Sequence, residues 1–170
     1  QTLAGITNVT GRTLRTQRIV NKSLTPCTLT VNNAADFTYD AQLGNTGTDL
    51  GLTKGGTGTL TLSGNNAYTG STTITGGTLQ LGASNVLANA TVVSIGTATL
   101  GIGAACTDTL DTLDVTGAAS IRLGAGASLA FAPSNMIDWT GGSLNITGNF
   151  VSGSSLRFGT DANGLTSTQL

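Results

Sequence analysis

The residues that this 170-residue sequence lacks already exclude several classes of protein. Histidine is absent, which excludes a Ser-His-Asp triad and a histidine-based metal centre. Glutamate is also absent, methionine occurs once, and charged residues make up 9% of the chain, against about 25% in an ordinary soluble domain. Because glutamate, lysine and methionine are good helix formers, their scarcity argues against a helical fold.

The residues that are present favour β-structure. The chain contains 25 glycines and 32 threonines, and 38% of its residues are hydrophobic. Threonine, valine and isoleucine fit pleated, half-buried surfaces, while glycine supplies corners between short strands. The hydrophobic content argues against disorder, although the charge is low. We therefore predict an all-β protein that forms a single domain over residues 1–170.

The seven cations and eight aspartates are unevenly distributed. Residues 1–35 carry four cations and no acid, whereas residues 36–170 carry three cations and all eight aspartates. We expect no nucleic-acid partner. We also expect no membrane span, since no apolar run is long enough to cross a bilayer. The low charge and a pI near 4.9 are typical of an exported bacterial protein.

Short apolar-x-apolar pairs recur along the chain at a nearly regular spacing. Most steps between them fall in the range of about 20 to 25 residues that is typical of a parallel β-solenoid, in which each short strand pairs with its equivalent one turn later. We expect about eight turns and a rod of roughly 40 Å, since neighbouring strands lie about 4.8 Å apart. The pairs are Leu29/Val31, Leu50/Leu52, Leu60/Leu62, Leu79/Leu81, Leu100/Ile102, Ile121/Leu123 and Leu144/Ile146.

The stretch TLTLSGNNAYTGSTTITGGTLQLG, residues 59–82, shows how one turn is built. Alternation places Leu60, Ile74 and Leu79 inside and the intervening threonines outside, where they can form ladders without stacking like charges. Gly76-Gly77 marks a corner. Residues 1–50 are less regular and are interpreted as first turns or a cap, and residues 139–170 as the C-terminal turns.

Residues 52–82, LTKGGTGTLTLSGNNAYTGSTTITGGTLQLG, resemble the autotransporter passenger-associated repeat, a module of bacterial surface β-helices. The C-terminal part, WTGGSLNITGNFVSGSSLRFGTDANGLTSTQL, resembles autotransporter-like repeat proteins that carry a PEP-CTERM sorting tail. These resemblances imply export to the cell surface and a single right-handed parallel β-helix, that is, a β-solenoid. They imply no activity.

Aspartates are the candidates for chemistry. Asp114 and Asp138 are close to one turn apart in the sequence and are the best candidate for the carboxylate pair of a polysaccharide-cleaving enzyme. Asp108, Asp111 and Asp114 could form a calcium-binding turn, although a solvated turn that packs Leu110 and Leu113 inward fits better. Aspartate is also common at corners, where it caps backbone N–H groups. We expect no catalytic, metal or cofactor site.

Five residues are candidates for subunit contacts. Cys27 and Cys106 are separated by close to four turns, or roughly 19 Å along the axis, whereas a disulfide needs Cα atoms within about 7 Å. They are therefore expected to be free buried thiols or partners across a subunit contact. Arg12, Arg15 and Arg18 could bind an anionic glycan or lipid headgroups, or they could simply line an exposed terminal turn.

The ends of a β-solenoid expose unpaired backbone groups that invite pairing with another chain. The sequence contains no amphipathic capping helix, and only its N-terminal end is basic. We therefore expect a non-enzymatic extracellular structural protein that stacks end to end with its own copies. The alternatives are an adhesin that binds a host surface or polysaccharide and, less favoured, a polysaccharide-cleaving enzyme.

Overall fold

The computed structural model describes residues 2–3, 18–139, 141–148 and 155–169. Over these residues the chain forms seventeen β-strands and no helix, so this part of the protein has no apolar helix that could cross a membrane. The strands are β1 Thr2–Leu3, β2 Arg18–Asn21, β3 Cys27–Asn32, β4 Phe37–Tyr39, β5 Gln42–Asn45, β6 Leu50–Gly55, β7 Thr59–Leu62, β8 Thr72–Ile74, β9 Thr78–Leu81, β10 Val93–Ile95, β11 Thr99–Ile102, β12 Thr107–Leu110, β13 Leu113–Val115, β14 Ala118–Leu123, β15 Ser128–Phe131, β16 Ser143–Gly148 and β17 Ser155–Phe158.

The strands build the stacked turns of a parallel β-solenoid, as the sequence predicts. Sheet 1 has the strand order β1-β3-β6-β8-β10-β13, and sheet 2 has the order β4-β7-β9-β11-β14-β16. On the third side of the coil, β2 pairs with β5, and β12, β15 and β17 form sheet 3. Every pairing is parallel, and Leu79 and Leu81 lie in register with Leu100 and Ile102 of the next turn.

The solenoid has about six turns, because sheets 1 and 2 contain six strands each, so the predicted count of eight is too high. The predicted period holds in the middle of the chain, where Leu79 pairs with Leu100. Towards the ends the turns are longer, since the partner of Thr2 in the next turn is Thr30 and the partner of Ser128 in the next turn is Ser155. The stack of paired strands is accordingly about 30 Å long rather than about 40 Å.

The hydrophobic core consists of inward-facing columns that run along the axis. In sheet 2 the column Leu60, Leu79, Leu100 and Ile121 lies in register from turn to turn, and each side chain is 0% exposed. The intervening threonines point outward, as predicted. Because parallel strands in register place like residues above one another, each leucine packs on a leucine or isoleucine of the next turn.

The predicted corner at residues 76–77 lies between β8 and β9. Gly77 has a φ of +61°, a conformation that other residues adopt only with strain. A Cβ atom at this position would also lie 2.5 Å from the carbonyl oxygen of Gly58 in the preceding turn. Glycine is therefore required here both by the backbone conformation and by the close approach of two turns.

The third side of the coil lacks strands in its middle. Between β5 and β12 this side of the coil is formed by the residues around positions 67 and 86. These residues form one isolated β-bridge, between Gly44 and Ala67, and single backbone hydrogen bonds. Backbone groups at this side therefore need partners other than a regular strand. Side chains from the interior of the coil provide some of them.

Candidate functional site

The structure places three of the five predicted contact residues, and Arg12 and Arg15 lie outside the described residues. Arg18 is exposed at the start of β2, where it lies in register with Gln42 of β5. Cys106 is buried just before β12, as expected for a free thiol, whereas Cys27 is exposed at the start of β3, so the expectation of burial is wrong for Cys27. Both thiols are free, in agreement with their predicted separation along the axis.

This difference in exposure predicts a difference in reactivity. Under native conditions a thiol reagent such as DTNB should modify one thiol per chain quickly, and this thiol is Cys27, because only an exposed thiolate is accessible. Cys106 should react only after denaturation. A Cys27→Ser variant should show no fast phase, and a fast phase in that variant would contradict the burial of Cys106.

Asp108 does not belong to a solvated turn, and this part of the sequence-based interpretation is wrong. Its side chain is 3% exposed, because the alternation in TDTL places it on the same inner face as Leu110. Leu110 and Leu113 are buried, as predicted. Asp114 lies on β13, where it accepts a hydrogen bond from the Ser94 hydroxyl at 3.1 Å. The described residues contain no group of three potential metal ligands.

The two carboxylates of the candidate catalytic pair lie in different environments. Asp114 is half-buried on a strand of sheet 1, whereas Asp138 is exposed in the segment between β15 and β16. Asp138 lines a cavity of about 510 Å³ together with Trp139 and Gln169, and Asp114 is not part of its wall. The interpretation of this pair as an acid and a base stays a hypothesis.

Lys54 is a buried cation in the core of the coil. It lies in register with Val31 of the preceding turn and Ile74 of the following turn, so it occupies an inward position that apolar residues otherwise fill. Its side chain is 0% exposed. A buried ammonium group is costly unless its hydrogen-bonding capacity is satisfied.

Three backbone carbonyl groups satisfy the Lys54 ammonium. Its Nζ donates to the carbonyl oxygens of Gly55 at 2.6 Å, Gly56 at 3.3 Å and Gly76 at 3.1 Å. An ammonium group has three donors, so all of them are used. Burial lowers the pKa of Lys54, and the negative charge of Asp36 opposes this effect. Because Gly76 belongs to the next turn, Lys54 connects two successive corners through its hydrogen bonds.

Asn66 connects three turns on the side of the coil that lacks strands. Its Oδ1 accepts the backbone N–H of Leu43 at 2.8 Å, and its Nδ2 donates to the carbonyl oxygens of Gly64 at 3.1 Å and Val86 at 2.9 Å. The side chain is 3% exposed. Asn66 therefore supplies hydrogen bonds that a regular strand ladder would supply elsewhere.

Asp108 performs a related function one turn further along. Its Oδ2 accepts the backbone N–H groups of Val86 at 3.0 Å and Leu87 at 3.3 Å, whereas its buried Oδ1 has no partner among the described residues. In the next turn the same inward position is occupied by Leu129. Burial raises the pKa of Asp108 to about 6, although hydrogen bonds from the backbone, including those of Leu87 and Val86, act in the opposite direction.

Tyr68 and Thr72 form a further buried polar contact. Their hydroxyl oxygens are 2.5 Å apart, and both side chains are 0% exposed. Thr72 lies in register with Leu52 and Val93, so it too replaces an apolar residue of an inward column. Burial raises the pKa of Tyr68 well above its usual range, and the charge of Asp108 adds to this effect. We refer to five residues as the interior polar group: Lys54, Asn66, Tyr68, Thr72 and Asp108.

The outer faces carry the predicted ladders of hydroxyl groups. In sheet 1 one outward column is Thr30, Thr53, Thr73, Ser94 and Asp114, and in sheet 2 another is Thr59, Thr78, Thr99, Ser120 and Asn145. Each hydroxyl can both donate and accept a hydrogen bond. The outer face of sheet 2 is therefore suited to a ligand rich in hydroxyl groups.

The C-terminal end of the solenoid is capped at sheet 1 by loops. The N–H of Leu113 donates to Ser134 Oγ at 2.9 Å, and Trp139 Nε1 donates to the carbonyl oxygen of Leu113 at 3.0 Å. The Gln169 side chain donates to the carbonyl oxygens of Ser134 and Ile137, both at 3.0 Å. The first two contacts occupy the backbone of Leu113 on the side where another strand would otherwise pair, and the Gln169 contacts connect the C-terminal segment to the same loop.

Sheets 2 and 3 end differently. No strand among the described residues pairs with β16 beyond β14, or with β17 beyond β15. The inward side chains of this last turn are only partly buried: Leu144, Ile146, Leu156 and Phe158. Over the described residues, β16 and β17 therefore each have a strand neighbour on one side only, and the apolar interior at this end is partly covered.

Residues 52–81 match the family model of the passenger-associated-transport-repeat, which confirms the resemblance found in the sequence. No curated protein sequence and no solved structure is significantly similar to the chain. The repeat and the β-solenoid fold together fit an autotransporter passenger-type protein. Four members of the interior polar group lie within the matched segment: Lys54, Asn66, Tyr68 and Thr72. The resemblance of residues 139–170 to proteins with a sorting tail stays a prediction.

Proposed function

We propose that this chain is a non-enzymatic structural protein of the bacterial cell surface, whose solenoid stacks end to end on a second copy into a fibre or layer. The observation that carries the proposal is the pair of strand edges, β16 and β17, above a partly covered apolar interior. A strand edge with unpaired N–H and C=O groups is a template for another strand. The passenger-type repeat supports a location outside the cell.

The apolar residues of the last turn support a contact with a further turn. In the middle of sheet 2 the inward residues are covered from both sides, and Leu60 and Leu100 are 0% exposed. In the last turn Leu144 and Ile146 are covered from one side and remain partly exposed. Covering them would contribute about 25 cal/mol for each Å² of apolar surface removed from water.

The charges at the two ends favour a head-to-tail arrangement. At the N-terminal end Arg18 and Lys22 are exposed and outnumber the exposed Asp36 beside β4. Near the last turn Asp138 and Asp161 are exposed and outnumber the exposed Arg157. A basic end facing an acidic end is a heterologous contact, which yields an open filament when the rotation between subunits does not close a ring. Because the sheet 1 edge is capped, the contact involves sheets 2 and 3.

The test is a Lys substitution in the last turn. An Ile146→Lys variant places a charge at the proposed contact, and its long side chain can reach solvent through the uncovered end. We expect the wild type to form assemblies that are visible by negative-stain microscopy and light scattering, and the variant to remain monomeric with an unchanged β-type circular dichroism spectrum.

The matched control is Thr61→Lys, which adds the same charge at an outward position of β7, between β4 and β9 and away from the last turn. This variant should assemble as the wild type does. Monomeric wild-type protein over the whole accessible concentration range would overturn the proposal, and so would equal inhibition of assembly by both lysine variants.

A second candidate function is an adhesin that binds polysaccharide along the side of the rod. The outer face of sheet 2, which is lined with hydroxyl groups, favours it. It predicts binding to a glycan by protein that does not polymerise, which distinguishes it from end-to-end stacking.

A further inference from the structure

A groove of about 470 Å³ lies on the outside of the coil along one border of sheet 2. It extends over successive turns, from β9 through β11 to β14 and β16. Its volume is in the range of ordinary ligand-binding sites. Much of its wall is glycine, so backbone rather than side chains forms the surface. The residues that matter for the argument are Gln80, Gly82, Gly103, Arg122 and Gly124.

Gly101 leaves space for the polar side chains of this groove, because it has no side chain of its own. Gln80, Gly101 and Arg122 lie in register at outward positions of β9, β11 and β14. A Cβ atom at Gly101 would overlap the side-chain oxygen of Gln80, so the amide of Gln80 extends over the glycine. The result is a contact between residues that are two turns apart.

This contact holds the Arg122 guanidinium in place. Arg122 Nη2 donates to Gln80 Oε1 at 2.9 Å, and Gln80 Nε2 donates to the carbonyl oxygen of Leu81 at 3.1 Å. The amide of Gln80 is thus fixed at both of its atoms, which orients the guanidinium along the axis of the coil. A guanidinium has five N–H donors, so most of them remain available for a ligand.

Arg122 is also electrostatically isolated. It is the single charged residue at the outward positions of β7, β9, β11, β14 and β16, and the described residues offer it no carboxylate within ion-pair distance. Beside it runs the outward column that contains Thr78, Thr99 and Ser120. The surface therefore combines one oriented cation with a row of neutral hydroxyl groups.

We propose that this groove binds an anionic polysaccharide of the uronate type, with a sugar carboxylate on Arg122 and sugar hydroxyls on Gln80 and the hydroxyl column. A planar guanidinium pairs with a carboxylate through two parallel hydrogen bonds. A linear polymer lying along the axis extends over successive turns of the groove, which are about 4.8 Å apart. The proposal gives the adhesin function a defined site and does not depend on end-to-end stacking.

The experiment measures binding of the full chain to polygalacturonate by titration calorimetry, with a neutral glucan of similar length as the comparison polymer. Polygalacturonate should bind and the glucan should not bind measurably. Arg122→Gln should weaken binding about tenfold or more, since a hydrogen-bonded charge pair contributes about 1.5–3 kcal/mol and about 1.4 kcal/mol corresponds to tenfold. Arg157→Gln is the matched control, because it removes one exposed arginine from β17, outside the groove, and should leave the affinity unchanged.

A Gly101→Thr variant tests the groove separately from the charge. The added side chain should displace the Gln80 amide, which is the mobile end of a flexible side chain, and should weaken binding although Arg122 is retained. Circular dichroism should show that every variant is folded. Four results would each overturn the proposal: no binding of polygalacturonate, equal binding of the neutral glucan, equal effects of the two arginine substitutions, or full affinity in folded Gly101→Thr.

Discussion

A Lys54→Met variant should be less stable than the wild type by about 3 kcal/mol. The ammonium group donates to three carbonyl oxygens, and hydrogen bonds to a charged group each contribute about 1.5–3 kcal/mol net. Methionine fills a similar volume and regains part of this loss by apolar burial in the column of Val31 and Ile74. For a chain of this size the melting temperature should fall by about 6–12 °C, because each kcal/mol shifts it by about 2–4 °C.

The expected sign needs an argument, because hydrophobic replacement of a buried ion pair is often neutral or stabilising. In those cases both charges are removed together. At Lys54 the partners are backbone carbonyl groups of Gly55, Gly56 and Gly76, which cannot be replaced and lose their donor when the lysine is removed. Gly55 is buried, and a buried acceptor without a donor costs about 1–3 kcal/mol. The balance therefore favours lysine.

The measurement is chemical denaturation followed by circular dichroism, with Lys22→Met as the control. Lys22 is exposed, and its substitution should change the unfolding free energy by less than about 0.5 kcal/mol. Equal stability of Lys54→Met and the wild type would mean that the three hydrogen bonds contribute nothing beyond the apolar column itself.

The alternation of the sequence predicts most of the core but not its polar members. Leu79, Leu100 and Ile121 follow from the regular period of the apolar pairs and the alternation within each strand, and the structure confirms them. The same alternation also places Lys54 and Asp108 on the inner face. Lys54 lies two positions after the buried Leu52, and Asp108 lies two positions before the buried Leu110. Charge was the misleading signal, since buried lysine and aspartate are rare and are tolerated only where the backbone satisfies them.

What the sequence did not reveal is where the backbone departs from regular pairing. Asn66 and Asp108 are buried because the third side of the coil lacks strands between β5 and β12, and a missing strand is not visible as a residue pattern. The capped edge of sheet 1 was missed for the same reason. Ser134 and Trp139 are distant from Leu113 in sequence, and only the folded chain brings their polar atoms to its backbone.

The second large effect concerns pH and depends on Asp108. The pKa of this carboxyl is about 6 in the folded protein, compared with its usual value of 3.8. Since the folded pKa is raised, the folded state favours the protonated form. The stabilisation is fully present below pH 3.8 and is lost as the pH rises through 6. A difference of about two pKa units corresponds to about 3 kcal/mol of unfolding free energy.

The comparison that isolates this effect is the unfolding free energy of the wild type minus that of Asp108→Asn, measured from about pH 4 to about pH 7.5, a range that spans the titration. Asparagine retains an oxygen that can accept from Val86 and Leu87 but cannot ionise. The difference should become less favourable to the wild type by up to about 3 kcal/mol as the pH rises. Tyr68, whose hydroxyl interacts electrostatically with Asp108, stays neutral throughout this range because its pKa is raised.

Two further variants separate the charge of Asp108 from its hydrogen bonds. Asp111→Asn, the same substitution at a half-buried neighbour, is the matched control. Asp108→Leu reproduces the residue found at this position one turn later, Leu129, but leaves the N–H groups of Val86 and Leu87 without an acceptor. It should therefore be less stable than Asp108→Asn by about 2–4 kcal/mol at every pH, since each buried donor left unpaired costs about 1–3 kcal/mol. A pH-independent difference for Asp108→Asn would mean that the carboxylate is solvated, and a stable Asp108→Leu variant would mean that the two N–H groups find other acceptors.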